Sequence, residues 1–190
     1  MTSLIQISTE LNLAPNICIP CGGACCKMNP GITTPEQWGV STEIRVDNLR
    51  SALASGRYAV DWWEGDTEPG GSLDEVYFVR PAVKGETNVF HGAGRNRVCT
   101  FFEQAYGCTL PAAQRPDMCL AVVPAAIGKC DVTGPFTHEN AKGDYAHHWR
   151  PYQAEILEAT RLCGASPDDR ETDPWQPYYF GLSGGLGGIS

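Results

Sequence analysis

Cys18-Ile19-Pro20-Cys21-Gly22-Gly23-Ala24-Cys25-Cys26 is the stretch on which the reading of this chain turns. Four cysteines in nine residues are a poor way to fill a core but a good way to surround a metal ion. Two residues between Cys18 and Cys21 let one turn aim both thiolates at one centre, with backbone N–H groups pointing back at the sulfurs. Pro20 and the Gly22-Gly23 pair disfavour regular structure and permit tight turns. Thiolates select zinc, copper(I) or iron–sulfur clusters over oxygen-loving ions. The adjacent Cys25 and Cys26 point in different directions unless strained, so they serve one metal in a tight turn, two metals, or a vicinal disulfide.

A second cysteine region lies downstream: Cys99, Cys108 and Cys119, followed by Cys130. Pro116 precedes Cys119 by three residues and reads as a rigid turn presenting it. Cys163 stands apart on an apolar helical stripe and reads as core filler. Nine cysteines is an odd number, so disulfides within one chain cannot pair them all.

At this point the chain resembles the CxxCxxCC cysteine-cluster family (YkgJ-like), described as a zinc- or iron-chelating, iron–sulfur-cluster-containing domain. Residues 18–26 match its first motif. Cys99-Thr100-Phe101-Phe102, Gly107-Cys108-Thr109-Leu110 and Arg115-Pro116-Asp117-Met118-Cys119 match its second. The likeness spans about residues 16–130. Two features depart from the pattern: the gap from Cys21 to Cys25 is three residues rather than two, and Leu120 stands where the family often has Arg. One branch of the family resembles a flagellin lysine methylase associated with an iron–sulfur cluster. Nothing outside the cysteine motifs here supports methyl transfer, since Gly92-Ala93-Gly94 is not followed by a helix pattern.

An all-sulfur set with few histidines favours an iron–sulfur cluster (4Fe-4S) over zinc. The expected ligands are Cys18, Cys21, Cys25, Cys26, Cys99, Cys108, Cys119 and Cys130. Eight thiolates would also supply two closed four-cysteine zinc sites. The metal would tie the N-terminal loop to residues 99–119 and contribute folding energy directly. The alternative is a zinc-stapled structural or assembly component whose termini dock onto partner chains. No catalytic residue stands out, for the chain has no Gly-x-Ser-x-Gly elbow, HExxH or P-loop. Among the histidines, His91 is the candidate extra ligand, and His147-His148-Trp149 reads as a solvated or capping run. Positive charge from Arg95, Arg97 and Arg115 beside a thiolate cluster would offset its charge.

Composition narrows the classes further. The 190-residue chain carries a formal net charge of −8, which disfavours nucleic acid as a partner. No apolar run is long enough for a membrane span. Residues 1–10 lack the basic and apolar regions of an export signal, so a reducing, cytoplasmic setting is expected, where clustered cysteines are metal ligands or redox thiols. With 21 glycines and 14 prolines the chain should be loop-rich.

The expected fold is α+β: a small, loop-rich single domain over residues 1–165, organised around the cysteine-ligated metal, with a C-terminal helix. An acidic, Pro- and Gly-rich tail over residues 166–190 should follow. Thr34-Pro35-Glu36-Gln37 reads as a helix start with a capping box, continuing through Leu49 and Leu53 to a stop at Gly56. Residues 58–63 and 75–79 read as two strands of a hairpin, with Tyr58, Trp62 and Trp63 on the core. Residues 151–163 make the best helix, with Ile156, Leu157, Thr160 and Cys163 as its apolar stripe. Residues 1–12 suggest a short strand or an arm. The aromatic group Trp175, Tyr178, Tyr179 and Phe180 is the candidate surface for a protein partner.

Overall fold

The computed structural model describes residues 20, 23, 26, 30–40, 43–64, 74–92, 98–105, 107–126, 129–132 and 145–170. The N-terminal strand or arm, the aromatic group at 175–180 and the Gly-rich tail lie outside the described residues. Helices and small two-stranded antiparallel sheets make up the structure, an α+β arrangement.

Thr34 and Gln37 do form a capping box, but the helix they start is a short 3-10 turn, Pro35–Trp38. A single long helix does not follow. The chain makes a small hairpin, β1 (Gly39–Val40) and β2 (Glu43–Ile44), before α1 (Val46–Ala54) begins. The β-branched Val40 and Ile44 favour extended backbone, which breaks the helical register. Leu49 and Leu53, four apart, are buried on α1 as their spacing implies. Gly56, at φ +66°, takes the left-handed conformation that stops the helix.

β3 (Tyr58–Trp63) and β4 (Val76–Pro81) pair antiparallel over their whole length, with Val60 opposite Val79. Ala59 through Trp63 are all buried, so this hairpin is covered on both faces and lacks the alternation of a half-exposed sheet. Its edges are closed by other parts of the chain. Along β3, Val60 N–H donates to Val89 O at 2.7 Å and His91 N–H donates to Val60 O at 3.0 Å. Along β4, the Gln153 side-chain amide both accepts from Tyr77 N–H (2.8 Å) and donates to Tyr77 O (2.9 Å). That satisfies an edge that would otherwise invite pairing with another chain.

Gln153 begins α3 (Gln153–Leu162), preceded by a 3-10 turn at Arg150–Tyr152. Ile156, Ala159 and Thr160 face the core against α1 and β4. Leu157 does not belong to the buried stripe; it is 37 % exposed. Gly164, at φ +75°, ends the helix as expected. Cys163 is partly buried against the main core and its Sγ donates to Arg50 O at 3.6 Å. Ser166 caps a 3-10 turn at Pro167–Asp169, and Arg170 pairs with Glu75 at 2.7 Å.

Residues 145–147 form a helical turn that delivers Trp149 to the centre of the molecule, fully buried. Its indole N–H donates to Thr33 O at 2.6 Å. The solvated reading of this run therefore holds for His148 alone, which is exposed. His147 is half-buried, edge-on to Trp63 at 4.9 Å. Burying an indole contributes about 1.5–3 kcal/mol or more only if its N–H finds an acceptor, as it does here.

Between the hairpin and α3 lie β5 (Phe102–Glu103), β6 (Gly107–Cys108), α2 (Asp117–Leu120), β7 (Val122–Ala126) and β8 (Lys129–Val132). β5 pairs with β6 and β7 with β8. Among the described residues no helix is long and apolar enough to cross a membrane.

Candidate metal centre

Thr33 sets the position of the chain that leaves the first cysteine motif. Its N–H donates to Val79 O at 3.0 Å, its hydroxyl donates to the same oxygen at 2.5 Å, and its own Oγ1 accepts from the Trp38 indole at 3.0 Å. With Trp149 on its carbonyl, Thr33 fastens residues 30–38 to the hairpin and the core. That segment in turn holds the last cysteine motif. Gln37 Nε2 donates to Arg115 O at 2.9 Å, and Gly31 faces Cys119. A Cβ built on Gly31 would overlap the Cys119 Sγ and reach the Cys119 amide nitrogen at 3.0 Å, so only glycine fits this approach.

Cys99 is docked from two sides. Lys84 N–H donates to Val98 O at 2.7 Å and Thr100 N–H to Ala82 O at 2.9 Å, which makes Val83 and Cys99 a bridged pair. From the other side, Cys99 N–H donates to Cys26 O at 2.9 Å. The end of the first cysteine motif thus touches the start of the second. Gly23 repeats the contact: at φ +67° it lies where an added Cβ would overlap the Phe102 ring. Cys108 sits opposite Phe102 across the β5–β6 pair. Cys99, Phe101, Phe102 and Leu110 form one buried apolar cluster, with Cys26, Cys108 and Tyr58 packed against it.

Of the eight expected ligands, Cys26, Cys99 and Cys108 are therefore brought into one neighbourhood, while Cys119 is set against Gly31. Cys130 lies on β8 opposite Pro124. Cys18, Cys21 and Cys25 lie outside the described residues. Among the described residues, no group of three or more His, Cys, Asp or Glu side chains is arranged to hold a metal ion. Cys99, Cys108 and Cys163 are free thiols.

Burial pushes the Cys99 thiol up to about 11, with the Phe101 N–H opposing and Cys108 reinforcing the shift. At neutral pH it is a protonated thiol, not a nucleophile. By chemistry alone, thiols beside an apolar wall and backbone amides are donors of the kind soft metals prefer. Tyr58 closes one side of this wall. Its ring stands edge-on to Trp38 at 4.9 Å and tilted to Phe101 at 5.2 Å, and the Arg57 guanidinium lies 4.1 Å over Phe101. Burial raises the Tyr58 phenol above its usual range against the pull of Arg57.

Behind Cys99 lies a group of charges that the sequence reading missed. Arg80, 1 % exposed, donates from Nε to Asp61 Oδ2 (3.0 Å) and from Nη1 to Glu86 Oε2 (3.1 Å) and Pro81 O (2.9 Å). Its Nη2 reaches Glu86 Oε1 (2.5 Å) and His91 O (2.6 Å). His91 Nδ1 lies 2.9 Å from Glu86 Oε1, so His91 is tied into this cluster. Asp61 also accepts from Trp62 N–H at 2.7 Å, and Glu86 from Val83 N–H at 2.7 Å. Burial disfavours the Arg80 charge, but Asp61 and Glu86 outweigh it and hold Arg80 above its usual range. Burial likewise works to raise Glu86, and the bonds from His91, Arg80 and Val83 bring it below its usual range. The available signal was an Asp and an Arg inside two apolar strands that pair with each other: Asp61 faces Phe78 and Ala59 faces Arg80, diagonal neighbours in an antiparallel ladder.

These features define a small α+β protein with two cysteine regions in contact. Compared with protein-family models, curated proteins and solved structures, the chain matches none of them.

Proposed function

We propose that the chain is a metal-binding cysteine-cluster protein of the CxxCxxCC kind, holding an iron–sulfur cluster through thiolates from both cysteine regions. One observation carries the reading: the Cys99 N–H donates to the Cys26 carbonyl at 2.9 Å, so the end of the first cysteine motif and the start of the second meet though they are far apart in sequence. The packing of Gly23 on Phe102 and of Gly31 on Cys119 supports it, because both close approaches draw the N-terminal segment toward residues 99–119. Cys18, Cys21, Cys25 or Cys26 from the first region and Cys99, Cys108 or Cys119 from the second would hold the metal. A bound cluster would supply electron transfer and would turn its binding free energy into folding free energy. The chain's own residues contribute position and exclusion of water: Thr33 and Gln37 fix the segment between the motifs, and Phe101, Phe102 and Leu110 form a dry wall.

Zinc is the alternative occupant, giving a structural staple in place of a redox centre. Cys21→Ser and Cys119→Ser, one in each region, test the ligand assignment. Each should lose metal and melting temperature together. A variant that keeps both removes that cysteine from the site.

A further inference from the structure

Cys99 and Cys108 are free thiols on the same apolar wall, and the backbone brings them there. The Phe102 N–H donates to Cys99 O at 3.0 Å, closing a turn whose ends lie within about 7 Å of each other. Phe102 in turn faces Cys108 across the β5–β6 pair. Next to them Thr109 N–H donates to Phe101 O at 2.8 Å, so Phe101 and Thr109 are a hydrogen-bonded pair. By the alternation of an antiparallel ladder, Phe102 and Cys108 are then the closer, non-hydrogen-bonded kind, with side chains on one face. Leu110, two residues beyond Cys108, belongs to the same buried cluster as Cys99 and Phe102.

Electrostatics agree with the register. Burial is the main cause of the raised Cys99 thiol, and the charge of Cys108 adds to it. Burial also dominates the rise of the Tyr58 phenol, and Cys99 and Cys108 both add to that rise. The two thiols differ in access: Cys99 is buried and Cys108 half-buried. One sulfur is open to a reagent and the other is shielded beside it, the arrangement of an attacking and a resolving thiol.

We propose that Cys99 and Cys108 form a thiol–disulfide redox pair, which a low-molecular-weight disulfide such as oxidised glutathione converts to an internal bridge. The pair needs no metal. The Cys108 thiolate attacks one sulfur of the incoming disulfide, and the other sulfur leaves as a thiolate that takes a proton from water. The Cys99 thiol then gives its proton to water and attacks the Cys108 sulfur, expelling the second glutathione thiolate, which is protonated in turn. The protein loses two electrons and two protons, and one glutathione disulfide becomes two thiols. Sulfurs bridged in this way cannot act as thiolate ligands, so oxidation and metal binding exclude each other at these two positions.

The test incubates the full chain in buffers of oxidised and reduced glutathione, with and without a chelator, blocks the remaining thiols with iodoacetamide and reads the peptides by mass. The expected product is a Cys99–Cys108 disulfide, both residues losing alkylation together, while Cys163, packed on the main core, joins no bridge. Because a disulfide needs Cα atoms within about 7 Å, the bridge reads their proximity directly. Cys108→Ser should leave Cys99 alkylated as in the reduced chain. Cys99→Ser should trap Cys108 as a mixed disulfide with glutathione that the wild type does not accumulate. Should Cys99→Ser not fold, Cys108→Ser at the half-buried position decides: Cys99 that still loses its alkylation refutes the pairing. No Cys99–Cys108 bridge under either condition, or a bridge from one of them to Cys26 or Cys119 in its place, would overturn the proposal. A bridge that forms only with the chelator supports it and puts a metal on the same sulfurs. A chain that binds metal and never bridges would keep the metal reading and remove this inference alone.

Discussion

Replacing Arg80 by methionine would leave Asp61 and Glu86 facing each other inside the protein without their shared cation. The two carboxyl side chains are only 2 % exposed, so water cannot take over the lost contacts. Removing one partner of a buried ion pair costs about 3–5 kcal/mol, against a total stability of about 5–15 kcal/mol for a typical domain. With a urea dependence of about 2 kcal/mol per molar, the unfolding midpoint should fall by about 2 M at pH 7. The pH dependence gives the sharper signature. In the native chain Glu86 sits below its ordinary 4.5, so its contribution is present above that value and fades as pH falls through the lowered one. Without Arg80, burial acts on Glu86 with less opposition and moves it upward. The variant then relieves its buried charge by taking up a proton, and the gap to the native chain should narrow from pH 7 to pH 5. Urea titrations at both pH values, followed by tryptophan fluorescence, measure it. A midpoint loss under about 0.5 M at pH 7, or an equal gap at both pH values, would refute the view that Arg80 neutralises two buried carboxylates.

Gly31→Ala should lower stability by about 1–3 kcal/mol through overlap with Cys119, read as a lower melting temperature; an unchanged melting temperature would contradict the close approach. Trp149→Phe should cost about 1–3 kcal/mol by leaving the buried Thr33 carbonyl unpaired, read as a lower melting temperature. Cys163→Ala should keep the full metal content and lose no more than about 1 kcal/mol, because Cys163 packs on the main core and not beside Cys99; metal analysis decides it.

Local chemistry made several elements legible. Aromatic and β-branched runs mark both strands of the β3–β4 hairpin, and Leu49 with Leu53 marks the buried face of α1. Gly56 and Gly164 end their helices for the reason their residue type implies. What could not be read depended on the partner supplied by folding. The capping box at Thr34 forms, yet Gly39 and Val40 turn the chain into a hairpin before a helix can grow. Leu157 fits the helical stripe by spacing, but α3 turns it outward. His91 offers a ring nitrogen that suits a metal in sequence, and the structure gives it to Glu86. Trp149 looked like part of a polar run because its acceptor, Thr33 O, lies 116 residues away. For the cysteines, spacing identified the candidate ligands, while the contact between Cys26 and Cys99 required the fold.

The most direct test of the account is metal analysis with a visible absorption spectrum on protein purified without oxygen and without a metal-affinity tag. The account predicts bound metal: iron with acid-labile sulfide and a broad brown absorption for the cluster, or colourless zinc at one or two per chain for the staple. A folded chain with no stoichiometric metal of either kind, and with all of its cysteines titrating as free thiols, would contradict it.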